Sequence, residues 1–248
     1  MKYGFDEFIR EFRNAHSVAV LTGAGISAES GVPTFRGKDG IWNKTPIDEV
    51  ATVGALERNP MRVWEWFLEL RGTLRDCKPN TAHTALAKLE ERFDEFTVIT
   101  QNIDNYHRIA GSRNVVELHG NAWWNICMSC GARYEDDKVE YEHLPPLCDC
   151  GGILKPDVVF FGEQLPIDAV ERAFKAAQEC DFLLVVGTSA VVVPAATIPY
   201  YTHAAGGKVI EFNLEPTGHS SLAGLSFFEK ATSSLGKVIE AMDWQVEK

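Results

Sequence analysis

The chain contains no run of lysine or arginine, no internal repeat, no low-complexity stretch and no apolar leader, and each absence removes a class of function. Its 24 Lys+Arg stand against 35 Asp+Glu in 248 residues, a formal charge of −11. Such a surface meets nucleic acid only through a local basic patch, and none is visible, so direct nucleic-acid binding is not expected. A basic partner such as a lysine-rich tail suits it better, although plain solubility explains the charge equally well. Met1–Phe12 is charged and amphipathic rather than apolar, so a cytoplasmic location is expected. A Gly-x-Ser-x-Gly elbow is also missing, which removes the usual signature of a serine hydrolase.

One stretch, Phe182–Tyr201, is long and apolar enough to suggest a bilayer span. Gly187, Thr188, Ser189 and Pro194 interrupt it, and it reads better as a buried strand, a ligand loop and the start of a buried helix. No membrane association is expected.

Hydrophobic residues make up 45% of the chain, enough for a substantial core. Short apolar runs recur and end in glycine or small polar residues. Val18–Leu21 leads into Thr22-Gly23-Ala24-Gly25, and Phe96–Ile99 into Thr100-Gln101-Asn102-Ile103-Asp104. Val115–Leu118 leads into His119-Gly120, Phe182–Val186 into Gly187-Thr188-Ser189, and Lys208–Phe212 into Asn213-Leu214-Glu215. Helical periodicity falls between them, over Asp6–Ala15, Thr81–Arg92, Ile167–Ala177 and Ala195–Ala204. Alternating buried strands and amphipathic helices imply an α/β fold: a Rossmann-like parallel sheet with helices on both faces. Ligands then sit beyond the carboxyl ends of the strands, where the small polar residues lie.

Two segments break the rhythm: an aromatic-rich helical stretch and a cysteine-bearing one. The expected division is a Rossmann-like domain from 1–37, 76–120 and 155–248. A helical insertion (38–75) and a cysteine-bearing ribbon module (121–154) together form a small lobe.

Gly23-Ala24-Gly25-Ile26-Ser27-Ala28 fits the dinucleotide fingerprint with alanine in the third glycine position, although a tight structural turn explains it about as well. Glu29-Ser30-Gly31-Val32-Pro33 follows at once and leaves no room for a long helix, which argues against an ordinary dehydrogenase. Of the six cysteines, Cys127, Cys130, Cys148 and Cys150 cluster as Cys-x-x-Cys and Cys-x-Cys. Four thiolates suit a closed, structural zinc site in a reducing compartment, with the second pair one residue tighter than usual and reduced, unligated cysteines as the alternative. His119 at a strand end is a candidate general base, with a satisfied structural histidine as the plainer reading. Asn102 and Asp104 are candidate ribose or carboxamide ligands, with helix capping as the alternative.

These pieces, in this order, resemble the sirtuins, the silent information regulator family of NAD-dependent protein deacylases, of a bacterial or archaeal type. The matching segments are Gly23 through Gly37, Thr100-Gln101-Asn102-Ile103-Asp104, His119-Gly120, the paired cysteines, Lys155 through Glu163, Gly187-Thr188-Ser189 and Asn213-Leu214-Glu215-Pro216. The resemblance spans nearly the whole chain. It implies an enzyme that deacetylates protein lysines, releasing nicotinamide, O-acetyl-ADP-ribose and free lysine. Mono-ADP-ribosyl transfer or NAD hydrolysis on the same fold is the alternative.

By the same resemblance, the catalytic residues are His119, Asn102 and Asp104, with His119 taking a proton from a ribose hydroxyl. Asp104 and Ile103 hold the carboxamide under Phe35, while Gln101 and Asn102 orient the ribose and a water. The rest of NAD lies against Gly23, Ala24, Gly25, Arg36, Gly187, Thr188, Ser189, Asn213, Leu214, Glu215 and Ala231. Val159-Phe160-Phe161-Gly162-Glu163 pairs with substrate backbone, and Phe161 with Val192 or Val193 lines the lysine tunnel. One zinc is held per chain, acyl-lysine side chains are the partners, and a monomer is expected.

Desuccinylase-like members carry a tyrosine and an arginine three residues apart after a Val-Trp-Glu-like segment. The frame of Val63-Trp64-Glu65 puts Phe67 and Leu70 at those places, which predicts acetyl and other neutral acyl groups over succinyl. Arg71 is one position away, and a register shift would restore an acid preference.

Overall fold

The computed structural model describes residues 4–37 and 40–243. Lys38 and Asp39, at the start of the expected helical insertion, and Met1–Tyr3 of the N-terminal segment lie outside the described residues.

Six strands form one parallel sheet: β1 Ser17–Thr22, β2 Glu95–Thr100, β3 Val115–Glu117, β7 Phe182–Val186, β8 Lys208–Asn213 and β9 Leu225–Phe228. Their order is β3-β2-β1-β7-β8-β9. Every residue of β1 and β7 is buried, because both faces of the sheet are covered. Side chains alternate between the faces. Val18 and Val20 join the core beneath α1 Phe5–Phe12, α5 Thr81–Glu90 and α9 Ala231–Asp243. Ala19 and Leu21 join the opposite core beneath α7 Ile167–Glu179 and α8 Ile198–Ala204. β9 and α9 carry no clear pattern in the sequence. Ser226 interrupts the apolar run of β9, and Ser233, Ser234 and Gly236 weaken the helical signal of α9.

The direction of winding reverses about β1: successive strands are added outward one way through β2 and β3, and the other way through β7, β8 and β9. A crevice therefore opens between the carboxyl ends of β1 and β7, the topological switch point at which such sheets bind ligands. Phe182–Tyr201 resolves as β7, a loop, a 3-10 turn at Ala195–Thr197 and α8. Among the described residues no helix is long and apolar enough to cross a membrane.

The two interruptions share one core. The helical stretch forms α2 Ile47–Val50, α3 Val53–Arg58 and α4 Pro60–Asp76, while the cysteine segment forms an antiparallel sheet of β4 Gly120–Cys127, β5 Arg133–Glu135 and β6 Leu154–Val158. The short α6 Tyr106–Ile109 follows β2. Trp64, Phe67 and Leu74 of α4 pack with Cys127, Cys148, Leu154, Val158 and Phe160. β6 belongs to this small sheet, so the small lobe runs directly into the segment that begins at Val159. Arg71 fastens the lobe together. It is fully buried and donates to Ala122 O (2.6 Å), Asn125 Oδ1 (2.7 Å) and Lys138 O (3.1 Å), with its guanidinium against the Trp64 and Phe67 rings.

Candidate active site

A cleft of about 1480 Å³ opens over the switch point and runs between the sheet edge and the small lobe. Its sheet side is built from glycine contacts. A Cβ on Gly23 would lie 2.9 Å from Gly187 O, and one on Gly25 would lie 2.6 Å from the same atom. Gly187 itself has φ +60°. The glycines thus let the β1 and β7 loops close on each other, locked by Gly25 N–H to Gly187 O (2.8 Å). Only two 3-10 turns follow, Ala24–Ile26 and Ala28–Ser30, in line with the absence of a long dinucleotide helix. The N–H groups of Ala24, Thr188 and Ser189 have no hydrogen-bond partner among the described residues, leaving donors at a Gly-rich edge suited to phosphate. Gln101 Nε2 donates to Thr188 Oγ1 (2.9 Å) and Asn213 Nδ2 to Thr188 O (2.8 Å), tying the ends of β2, β7 and β8 into one rim.

His119 stands between this rim and the small lobe. Its Nδ1 lies 2.9 Å from Gln101 O, and a carbonyl can only accept, so Nδ1 carries the proton and Nε2 keeps a free lone pair. Burial lowers its pKa below the ordinary histidine value, with the Gln101 hydrogen bond opposing, and the ring is a neutral base near pH 7.

Asn102 is buried and donates to Gly23 O (3.1 Å). Asp104 lies one layer further back and is not among the residues lining the cleft. Its carboxylate accepts from Ser27 Oγ (2.7 Å) and Tyr106 N–H (2.9 Å), while burial raises its pKa against the pull of those bonds. Behind it is a layer the sequence did not advertise. Asn80 N–H donates to His83 Nδ1 (3.2 Å), so His83 Nε2 carries the proton toward Ser27 Oγ (3.3 Å), and Ser27 is free to donate to Asp104. His107 Nε2 meets Thr22 Oγ1 at 2.9 Å. Desolvation pushes His83 down to about 4, and desolvation with the neighbouring His83 pushes His107 to about 3, so both are neutral struts.

The opposite wall is aromatic. Trp42 stacks between Phe35 (5.4 Å) and Trp66 (5.6 Å), with Phe161 edge-on to it at 6.2 Å. Phe67, Ala51 and Ile103 complete an apolar recess, and Val159–Glu163 and Val191–Val193 form its mouth. Arg36, Leu214, Glu215 and Ala231 also line the cleft. Every candidate cofactor or substrate residue from the sequence therefore meets in one cavity except Asp104. Trp42 and Trp66, from the aromatic-rich segment, line it as well, while Ser27 and His83 stand behind it with Asp104.

On the far side of the small lobe, the Sγ atoms of Cys127, Cys130, Cys148 and Cys150 all lie within 4.8 Å of one another. Cys127–Cys150 and Cys130–Cys148 approach to 3.5 and 3.7 Å, close to the roughly 3.8 Å that tetrahedral zinc–sulfur bonds impose. Gly151, with φ +83°, makes the turn that lets the tight Cys-x-Cys pair converge. The Cys130 N–H pulls the Cys127 thiol down to about 6, toward the thiolate a metal requires. The set fits one zinc.

Residues 23–194 match the Sir2 family model. An NAD-dependent protein deacylase of Aquifex aeolicus is 48% identical over 225 residues, covering 90% of this chain and 94% of that protein. One of Pyrococcus furiosus is also 48% identical, over 89% and 90%. Among solved structures, a Sir2 homolog–NAD complex superposes with TM-score 0.91 at 38% identity, covering 97% of this chain and 94% of that one. A Sir2 mutant with deacetylated p53 peptide and 3'-O-acetyl ADP ribose does so with TM-score 0.89 at 37% identity, over 97% and 98%.

Proposed function

The chain belongs to the Sir2 family, and from that premise we propose that it is an NAD-dependent protein-lysine deacetylase, yielding free lysine, nicotinamide and O-acetyl-ADP-ribose. The observation that carries this is the meeting of a phosphate-suited rim and an apolar recess in one cleft, with a neutral histidine between them. NAD, when bound, supplies the ribose carbon to which the acyl-lysine oxygen adds as the bond to nicotinamide breaks.

The protein's own residues do the rest. Ala24, Thr188 and Ser189 offer N–H groups to the pyrophosphate, and Arg36 offers the cleft's cationic side chain. Gln101 and Asn102 orient the ribose. His119 Nε2 accepts a proton from a ribose hydroxyl, and the Gln101 carbonyl stabilises the charge it gains through Nδ1–H. Asp104 supports the nicotinamide end from behind, its position fixed by Ser27 and His83. Phe35 and Trp42 exclude water, which limits plain hydrolysis of NAD. Phe161 and Val193 flank the lysine stem, and the backbone of Val159–Glu163 pairs with the substrate, so sequence choice is loose.

Among the described residues, the recess around Phe67, Trp66 and Ala51 holds no cation, and Arg71 is committed to Ala122, Asn125 and Lys138. Neutral acyl groups are accordingly preferred over succinyl. The zinc, held by Cys127, Cys130, Cys148 and Cys150, is structural, and a monomer without membrane or nucleic-acid partners is expected.

Mass spectrometry of an acetyl-lysine peptide incubated with and without NAD tests the function. Deacetylated peptide and O-acetyl-ADP-ribose, both only with NAD, are expected. Free ADP-ribose or an ADP-ribosylated protein in their place would transfer the chemistry to hydrolysis or ADP-ribosyl transfer.

A further inference from the structure

The segment that closes the cleft on the substrate side is a tight return after β6, and it is fastened from behind. Gly162 sits at its tip with φ +94°, where a side chain is strained. Phe160 points inward at 4% exposure, and Phe161 points toward the cleft at 40%. Phe161 N–H donates to Ala51 O (2.9 Å) and its carbonyl accepts from Val53 N–H (3.3 Å), so the helical insertion holds the loop from one side.

From the other side it is held by an ion pair. Lys155 is 8% exposed, and its ammonium faces three acceptors: Val158 O at 2.8 Å, Glu163 Oε2 at 3.0 Å and Pro156 O at 3.4 Å. The same Glu163 oxygen accepts from Phe160 N–H at 2.8 Å, and the Lys155 ammonium lies 4.7 Å from the centre of the Phe160 ring. One cation and one carboxylate thus bind both ends of the return, Val158 and Glu163, and the inward ring between them. Lys155 does not line the cleft among the described residues. It faces a second groove behind the loop, beside Asp157 and Gln164.

We propose that Lys155 and Glu163 are a positioning pair for substrate: their ion pair fixes the Val159–Glu163 backbone and the Phe161 ring in the geometry that receives the acyl-lysine peptide. A buried ammonium with three acceptors has few other arrangements open to it, so the loop is set before substrate arrives and little ordering cost falls on binding. Removing the cation leaves the Glu163 carboxylate without its counter-charge and frees the loop to move. The effect belongs to peptide affinity and not to NAD, whose rim lies on the β1, β7 and β8 edge. This inference rests on the deacetylase reading.

The test is the peptide Kd, from fluorescence anisotropy of a labelled acetyl-lysine peptide, with KM for peptide and for NAD measured separately. In Lys155→Met the peptide Kd and KM rise on the order of tenfold, about 1.4 kcal/mol, while the KM for NAD and the zinc content stay at wild-type values. Lys155→Arg restores the peptide terms. Glu163→Gln shifts them in the same direction, and the double variant is no worse than the worse single one, because the pair acts as a unit. A peptide Kd within about twofold of wild type in both single variants, or a parallel rise in both KM values, overturns the proposal. Should Lys155→Met fail to fold, Glu163→Gln decides by the same criteria. Wild-type protein without NAD-dependent deacetylation would defeat the functional reading itself, whereas active wild type with an unaffected Lys155→Met defeats only the pair.

Discussion

Replacing the acetyl group of a substrate by succinyl would put a carboxylate against Phe67, Trp66 and Ala51, in a recess with no cation or hydroxyl among the described side chains that line it. Arg71, on the same helix, is fully buried against the Phe67 ring and already spends its donors on Ala122 O, Asn125 Oδ1 and Lys138 O. A charge left unpaired in a buried site costs about 3–5 kcal/mol, and the open mouth of the cleft favours the lower figure. About 3 kcal/mol corresponds to a kcat/KM ratio on the order of a hundredfold in favour of acetyl. The assay is competition between acetyl- and succinyl-lysine forms of one peptide, followed by mass spectrometry. Phe67→Tyr supplies a hydroxyl and should narrow the ratio; Leu70, the other position compared in the sequence, is buried and is not among the described residues lining the cleft. Arg71→Met should leave the ratio unchanged. Desuccinylation faster than deacetylation by the wild type, or selective loss of succinyl activity in Arg71→Met, would refute the reasoning.

Arg71→Met should nevertheless destabilise the small lobe by about 3–5 kcal/mol, seen as a lower unfolding midpoint in denaturant, and a midpoint matching wild type would contradict the bonding described. His119→Ala should lower kcat by about 10²–10⁴ with little change in NAD affinity. Because the His119 pKa is lowered, the acid limb of kcat/KM should lie below about 6.5, with rate lost as pH falls through it; a limb above that value would deny it the role of base. His83 and His107 bind protons more readily unfolded than folded, so their contribution is intact above about 6.5 and is lost as pH falls toward 4 and 3. Stability over that window should drop by about 1.4 kcal/mol per pH unit for each histidine, and His107→Asn should flatten the slope measured by urea titration. Cys150→Ser should reduce bound zinc below one per chain and lower the melting temperature, read by metal analysis and calorimetry.

The parallel sheet was legible because β1, β2, β7 and β8 are apolar runs buried on both faces, each ending in polar or glycine residues at one edge. The strand order was not, since pairing is decided between segments far apart in sequence, and it is the order that creates the crevice between Gly23 and Gly187. β9 and α9 escaped notice because serine and glycine dilute their patterns. His83 looked like any residue of an amphipathic helix, and only the approach of Ser27, fifty-six positions earlier, gives it a role behind Asp104. The glycines of the fingerprint were legible as a tight approach, yet their near neighbour is the Gly187 backbone. The tight Cys-x-Cys pair left its geometry in doubt until the Gly151 turn accounted for it.

Deacetylation on this cleft should consume one NAD and release one nicotinamide for each lysine freed, because the recess and the cofactor rim open onto the same base. The most direct test is that stoichiometry, with nicotinamide and deacetylated peptide quantified together by liquid chromatography in the presence and absence of acetyl-lysine peptide. Peptide-dependent nicotinamide release in a one-to-one ratio with free lysine is the predicted result. Nicotinamide released at the same rate without peptide, or lysine freed without NAD, would contradict it.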